Sequence, residues 1–345
     1  MMLLKIKIVL LLFIFFNSAF AQEKYPNGQI KEIGVLVQGK KDGTWISYYE
    51  TGQIELISNY VIGKLTGEWI HNYSSGDIKL KCNYENDLLN GERIQYYQDG
   101  EIRSKENFLN GKQSGESIKY FENGRISEKG NYLNDNKNGE WIECNENGQL
   151  STTGNYVNDV KIGEWIFYFK NGQVFVKENY LNGKRNGIWL KYYENGKTKE
   201  EGTYENGLKI GEWKYYEEGG SMQGKGNFVN GLRNGEWLFY FGDGKIFTKG
   251  SYADENETGE WIIYYSDGKI HERRNFLGGK LNGERTSYDE NGIVIEKGNF
   301  IDGAGTTEEY YEGGKIKKKT LWENGKSKKT TYYKLDGSVE KVIEK

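Results

Sequence analysis

The chain is predicted to be all-β: an elongated, single-layer antiparallel array of β-hairpins with a 24-residue period. Three observations predict it. Glycines stand at 43, 67, 91 and every 24th position up to 283, and a second glycine series runs from Gly28 to Gly292 at the same step. A third position is always aromatic, from Tyr60, Tyr84 and Phe108 to Phe276 and Phe300. Eight of the nine tryptophans stand two residues after a glycine of the first series. A fixed period of roughly 20 to 50 residues marks a repeat array, in which each unit packs on its neighbours instead of around one core.

Residues 1–21 read as a secretory signal peptide. Lys5 and Lys7 precede an apolar run from Ile8 to Phe16, and Ala19-Phe20-Ala21 supplies the small-x-small cleavage pattern. The run is short of the roughly 20 residues a membrane span needs. The expected product begins at Gln22 and is exported to the periplasm, the cell surface or the medium. No cysteine follows the cleavage pattern, so no lipid anchor is expected.

Residues 22–312 are expected to form about twelve hairpins. In Gly163-Glu164-Trp165-Ile166-Phe167-Tyr168-Phe169-Lys170-Asn171-Gly172, an aromatic run meets Asn-Gly, a strong hairpin signal. A second strand ends at Tyr180, and Leu181–Gly187 leads into the next repeat. The single proline, Pro26, precedes the array, so none interrupts a ladder. Aromatics make up 15% of the chain at fixed positions, which separates it from disordered chains of similar polarity. Twelve hairpins at about 10 Å each would span on the order of 110–120 Å, a length that small-angle scattering reads directly.

A two-residue turn at Asn171-Gly172 sets a register. It places Trp165 opposite Glu178 and Phe169 opposite Val174, with Tyr180 on the same side. The same register puts Trp141, Trp189, Trp213 and Trp237 opposite Gly154, Gly202, Gly226 and Gly250, where an indole covers strand backbone. Arg93 replaces tryptophan opposite Glu106, an expected ion pair. The other face carries two charge ladders, glutamates from 68 to 284 and Lys or Arg from 81 to 297. They read as solvated rows that discourage edge pairing. With a net charge of −3, no general attraction to nucleic acid is expected.

The chemistry of a catalytic or metal site is not found. His71 and His271 lie in distant repeats, and the serial carboxylates offer no singled-out acid and base. Asn195-Gly196-Lys197-Thr198 lacks the leading glycine of a phosphate loop, with Lys191 in its place. Two calcium-loop-like starts, at 134 and 254, lack the bidentate glutamate, with Asn145 and Tyr265 standing instead. Catalytic, cofactor-binding and metal-binding residues are therefore read as none, and no cofactor is expected. Cys82 and Cys144 are about two and a half repeats apart, more than about 20 Å, and are expected to stay unpaired as buried filler. From Gly313 to Lys345 there are ten lysines and four acids, and the glycine spacing slips to 22 between Gly283 and Gly305. Residues 313–345 read as a basic capping repeat or tail.

The run Gly202-Thr203-Tyr204-Glu205-Asn206-Gly207-Leu208-Lys209-Ile210-Gly211 resembles the MORN repeat. With the added Glu-Trp-x-x-Tyr and Asn-Gly tip, it is similar to the bacterial variant of YwqK-like antitoxin proteins. The resemblance covers residues 25 to about 340. It implies a MORN-like rod with no catalytic residues, acting in scaffolding, protein binding and sometimes membrane or lipid association, although no residue of this chain points to a membrane surface. An antitoxin-like role would here mean an exported toxin as partner.

The expected function is an exported, non-enzymatic scaffold that binds a protein partner or a second copy, with no nucleic-acid partner. The alternative is an envelope glycan- or choline-binding module, since aromatic hairpins also hold quaternary ammonium groups. The candidate interaction face is aromatic: Trp165, Phe167, Phe169, Trp189, Trp213, Tyr215, Trp237, Phe239, Phe241, Trp261, Ile263 and Tyr265. The competing role for the same residues is to stabilise the array alone.

Overall fold

The computed structural model describes residues 18–345. Among them every regular element is a β-strand, and the chain divides into two compact units, one ending at Val160 and the other beginning at Lys161. In the first unit, strands from Ser18–Lys24 to Leu150–Val157 pair antiparallel in chain order, except that the two-residue strands Lys64–Leu65 and Asn136–Lys137 pair only with the strand before them, which also pairs with the strand after. In the second, the same holds from Val160–Tyr168 to Val339–Glu344. Most of the assigned signal peptide, residues 1–17, lies outside the described residues. Its last four, Ser18 to Ala21, lie in the strand Ser18–Lys24, where Ala21 faces Gly34.

The strand bodies keep the expected register. Gly163 faces Tyr180, Trp165 faces Glu178 and Phe167 faces Val176. The tip differs from expectation. Phe169 faces Gln173 instead of Val174: its N–H donates to the Gln173 carbonyl at 2.8 Å, and the Gly172 N–H donates back to the Phe169 carbonyl at 2.9 Å. The loop is therefore three residues, 170–172, closed by Gly172 at φ +85°. A bulge where Val174 meets Tyr168 restores the body register. Asn171 adds an Asx contact, its Oδ1 accepting from the Gln173 N–H at 2.9 Å.

The two-residue turn lies at the other end of the hairpin. Asn182 and Gly183 have φ of +50° and +77°, and Leu181 pairs directly with Lys184, the type I′ geometry. Both ends of the repeat carry Asn-Gly, so the dipeptide alone does not say which turn is tighter.

The first glycine series marks a bulge. Glu178 faces Trp189, yet Tyr180 faces Arg185, so residues 186–188 are accommodated opposite Asn179. The Asn179 amide donates to the Ile188 carbonyl at 3.3 Å. Asn59, Asn107 and Asn275 do the same at 2.7, 2.9 and 3.0 Å. The 22-residue slip near the C-terminus now has a structural reason. Between Val294–Ile301 and Ala304–Tyr310 the ladder runs without a register shift, so the two missing residues are those of the bulge. Residues 316–344 continue with three more strands.

The cysteines are free. Cys82 is buried opposite Trp69, and burial pushes its thiol up to about 11. Cys144 is only half-buried, a departure from the filler reading, because its slot lies near the hairpin tip.

Candidate interaction face

The second unit contains a buried apolar cluster built on Trp213, Phe228, Trp237, Tyr252 and Trp261. Each tryptophan stands two residues past a bulge glycine. There its ring meets the aromatic residues that end the strands on either side. Tyr204 meets Trp213 edge-on at 5.2 Å, Phe228 meets Trp237 at 5.3 Å and Tyr252 meets Trp261 at 5.1 Å. Such edge-to-face pairs contribute roughly 0.5–1.5 kcal/mol each beyond burial.

The indoles do cover strand glycines, but not the ones they face. Trp213 faces Gly226 in the ladder. Its ring instead lies on Gly202 of the preceding strand, where an added Cβ would come within 2.3 Å of it. Gly226 is covered by Trp237 and Gly250 by Trp261, and in the first unit Gly130 is covered by Trp141. This lean brings each Nε1 to a backbone carbonyl at the bulge. Trp213 donates to Thr203 at 3.3 Å, Trp237 to Asn227 at 3.3 Å and Trp261 to Ser251 at 3.2 Å. The indole thus satisfies an acceptor in a region where the ladder is broken.

Trp165, Trp213, Trp237 and Trp261 are consequently buried, so the indoles themselves present little open surface. Trp189, Phe167, Tyr215, Phe239 and Ile263 are half-buried. Phe169, Phe241 and Tyr265 are half-buried too, but they make tip contacts with Phe175, Phe247 and His271 at 4.8, 5.1 and 4.5 Å. Several tip tyrosines serve a second purpose that the periodicity did not reveal. The hydroxyls of Tyr193 and Tyr265 donate to the carbonyls of Tyr216 and Tyr288, at 2.8 and 2.7 Å, tying one repeat to the next.

At some positions where tryptophan or glycine is missing from the pattern, ion pairs fill the column, whereas Ser58, Cys82 and Ser117 fill it elsewhere. Arg93 Nε donates to Glu106 at 2.6 Å, the pairing expected from the register. Glu178 is buried and accepts from Arg185 Nε and the Tyr180 hydroxyl, each at 2.7 Å. On the opposite face the charge ladders pair diagonally, Lys129 with Glu116 at 2.6 Å and Lys225 with Glu212 at 3.2 Å. Exposed pairs of this kind contribute little to stability.

One part of the aromatic face opens into a cleft of about 830 Å³. Its floor is Gly224, which faces Tyr215 on one side and Phe239 on the other. Tyr215 and Phe239 lie nearly parallel to Trp237, tilted by 29° and 27°. Arg233, Glu255 and Glu217 line its edge. Sequence reasoning picked out Tyr215, Trp237 and Phe239 but missed Gly224. The signal was available: Gly224 and Gly226 put two glycines on one face of a single strand. Burial pushes the Tyr215 hydroxyl well above the usual tyrosine range and lowers the Lys209 ammonium, so the cleft wall is a desolvated environment.

The geometry defines a β-hairpin repeat protein whose units bury tryptophans against neighbouring strands. The model of the MORN repeat variant matches twelve tandem segments, from residues 41–61 to 305–324, and the chain belongs to that family. The family is one of repeat scaffolds. No curated protein matches the chain. Among solved structures, TcdB2-TccC3 without its hypervariable C-terminal region is similar over 95% of this chain at 11% identity, with a TM-score of 0.17. The chain spans 17% of the length of that protein. A porin-like protein from Bacteroides uniformis is 10% identical over 91% of this chain and 93% of its own, with a TM-score of 0.15. Likeness at these scores carries no functional argument.

Proposed function

We propose that this protein is an exported, non-enzymatic scaffold whose aromatic face in the second unit holds a protein partner. One observation carries the reading. The tryptophan column is closed by strand glycines and neighbouring rings, yet beside Gly224, where an added Cβ would come within 2.9 Å of the Phe239 ring, a cleft opens that Tyr215 and Phe239 line. An apolar, concave site with a few polar groups at its edge is the usual form of a binding site. Export rests on residues 1–21, and it makes the partner an envelope or secreted protein, an exported toxin among them.

The expected result is separable from folding. Crosslinking in the native host identifies the partner. Changing Phe167, Tyr215 and Phe239 to Ser then abolishes its capture while the β circular dichroism signal is kept. The array already tolerates serine in this slot at Ser47 and Ser287. An unfolded triple variant would assign these residues to stability alone. A folded variant that still captures the partner would move the site elsewhere.

A further inference from the structure

Four indoles carry a lysine ammonium of the chain itself, contributed by the residue four positions earlier. Lys41 Nζ lies 4.2 Å from the Trp45 ring centroid, Lys137 3.8 Å from Trp141, Lys161 4.0 Å from Trp165 and Lys209 3.7 Å from Trp213. These are cation–π distances. Trp69, Trp189 and Trp261 follow Leu65, Arg185 and Glu257 at that spacing, and Trp237 also lacks the lysine. The residue four positions before it is Arg233, whose Nε donates to Glu255 at 2.8 Å and whose guanidinium sits 4.0 Å over Tyr252. It is left 5.8 Å from the Trp237 centroid. In the same place Gly224 contributes no side chain between Tyr215 and Phe239. The withdrawn cation and the missing side chain coincide at the cleft.

We propose that this cleft binds an alkylammonium group, supplied by a lysine side chain of the protein partner, in the manner of the chain's own lysines on the other indoles. The inference rests on the aromatic face being the interaction surface. The half-buried Tyr215 and Phe239 rings supply π-faces on either side of the buried Trp237, and their apolar walls match the methylene stem of lysine. The array itself shows that the slot accepts such a stem, since Lys119 and Lys191 occupy the position of Tyr215 in other repeats. The charged residues that line the cleft, Glu217, Glu255 and Arg233, sum to a charge of −1. Arg233 is paired with Glu255, and Glu200 faces Tyr215 and pairs with Lys191 at 3.5 Å. Lys209 is held on Trp213, 3.3 Å from the Tyr215 hydroxyl, and the Glu217 carboxylate stands at the edge. Lysine suits the site better than arginine, because the chain's close indole covers are lysines, whereas Arg185 stands back at 4.9 Å from Trp189.

The test uses the full exported chain, isotope-labelled, with its indole N–H signals read by NMR. N-acetyl-lysine methylamide should shift the Trp237 signal, and the neutral norleucine analogue should bind about tenfold more weakly. Tyr215→Lys, which supplies an internal ammonium, should abolish the shift in a folded protein. Glu217→Gln should weaken binding about threefold. Equal binding of the norleucine analogue would make the cleft merely apolar and overturn the proposal, as would no shift with either probe. Tighter binding of choline than of the lysine probe would overturn the protein source of the cation. If the lysine probe fails but the triple serine variant loses its partner, the interaction face stands and the ammonium inference falls. If the probe binds and the triple variant keeps its partner, the ammonium site stands and the partner reading falls.

Discussion

Trp213→Ala will destabilise the second unit by about 3–5 kcal/mol, the range for removing a buried tryptophan. Trp213 is 0% exposed. Its removal strips the cover from Gly202, the edge-on contacts with Tyr204 and Phe228, and the indole hydrogen bond to the Thr203 carbonyl. Hydrogen exchange should show the loss as faster amide exchange in strands 198–205 and 222–229 before more distant ones, because a repeat array responds locally. The companion change is Gly202→Ala. Its Cβ would stand 2.3 Å from the Trp213 ring, which forces the indole off its seat and costs about 1–3 kcal/mol. In a Trp213→Ala background that cost should disappear. A cost that persists in the double variant would mean that the indole covers Gly226, the residue it faces, instead of Gly202.

The second large effect is expected at Glu272. It is 4% exposed and stands in the slot that Gly224 occupies two repeats earlier. Arg274 and Arg285 face each other directly in the ladder, arginines in the glycine and tryptophan slots. Glu272 bridges both: Arg274 Nη2 donates to it at 2.7 Å and Arg285 Nε donates to its other oxygen, while Arg285 Nη1 also pairs with Glu296 at 2.7 Å. Glu272→Ala leaves two partly buried guanidinium groups opposed with only Glu296, beside Arg285, to compensate them, and should cost about 3 kcal/mol by denaturant unfolding. The pH dependence follows from the same contacts. Burial pushes the Glu272 carboxyl up, but the hydrogen bonds and charges of the two arginines outweigh it, and its pKa ends below the usual glutamate value. A carboxyl depressed on folding contributes stability above its unfolded pKa and loses it as pH falls through the folded one. Exchange in strands 270–277 and 280–288 should therefore rise below about pH 4, and the Glu272→Ala variant should lack that acid-dependent increment. Identical acid profiles for the two proteins would remove Glu272 from the account.

The 24-residue period by itself determined the strand bodies, their faces and their register. A side chain's face alternates with every residue, so fixed spacing leaves no freedom once the hairpin pairing is set. The Arg93–Glu106 pair was legible for that reason, as was the separation of the two cysteines. The turns were half legible. Asn-Gly occurs at both ends of the repeat, and only the three-dimensional hydrogen bonding assigned the three-residue loop to Gly172 and the two-residue turn to Gly183. What the tertiary structure alone decided is the lean of each indole. Periodicity says that Trp213 faces Gly226, but a ring of that size can tilt towards either neighbouring strand. The bulge breaks this symmetry: it leaves the Thr203 carbonyl as an acceptor on the preceding side, and the indole turns towards it over Gly202. That tilt buries the tryptophans that the sequence offered as an exposed face. It also leaves the cleft over Gly224, where a glycine between two rings and an arginine drawn off by Glu255 coincide. The coincidence depends on side-chain directions across three strands, and spacing along one strand does not encode it.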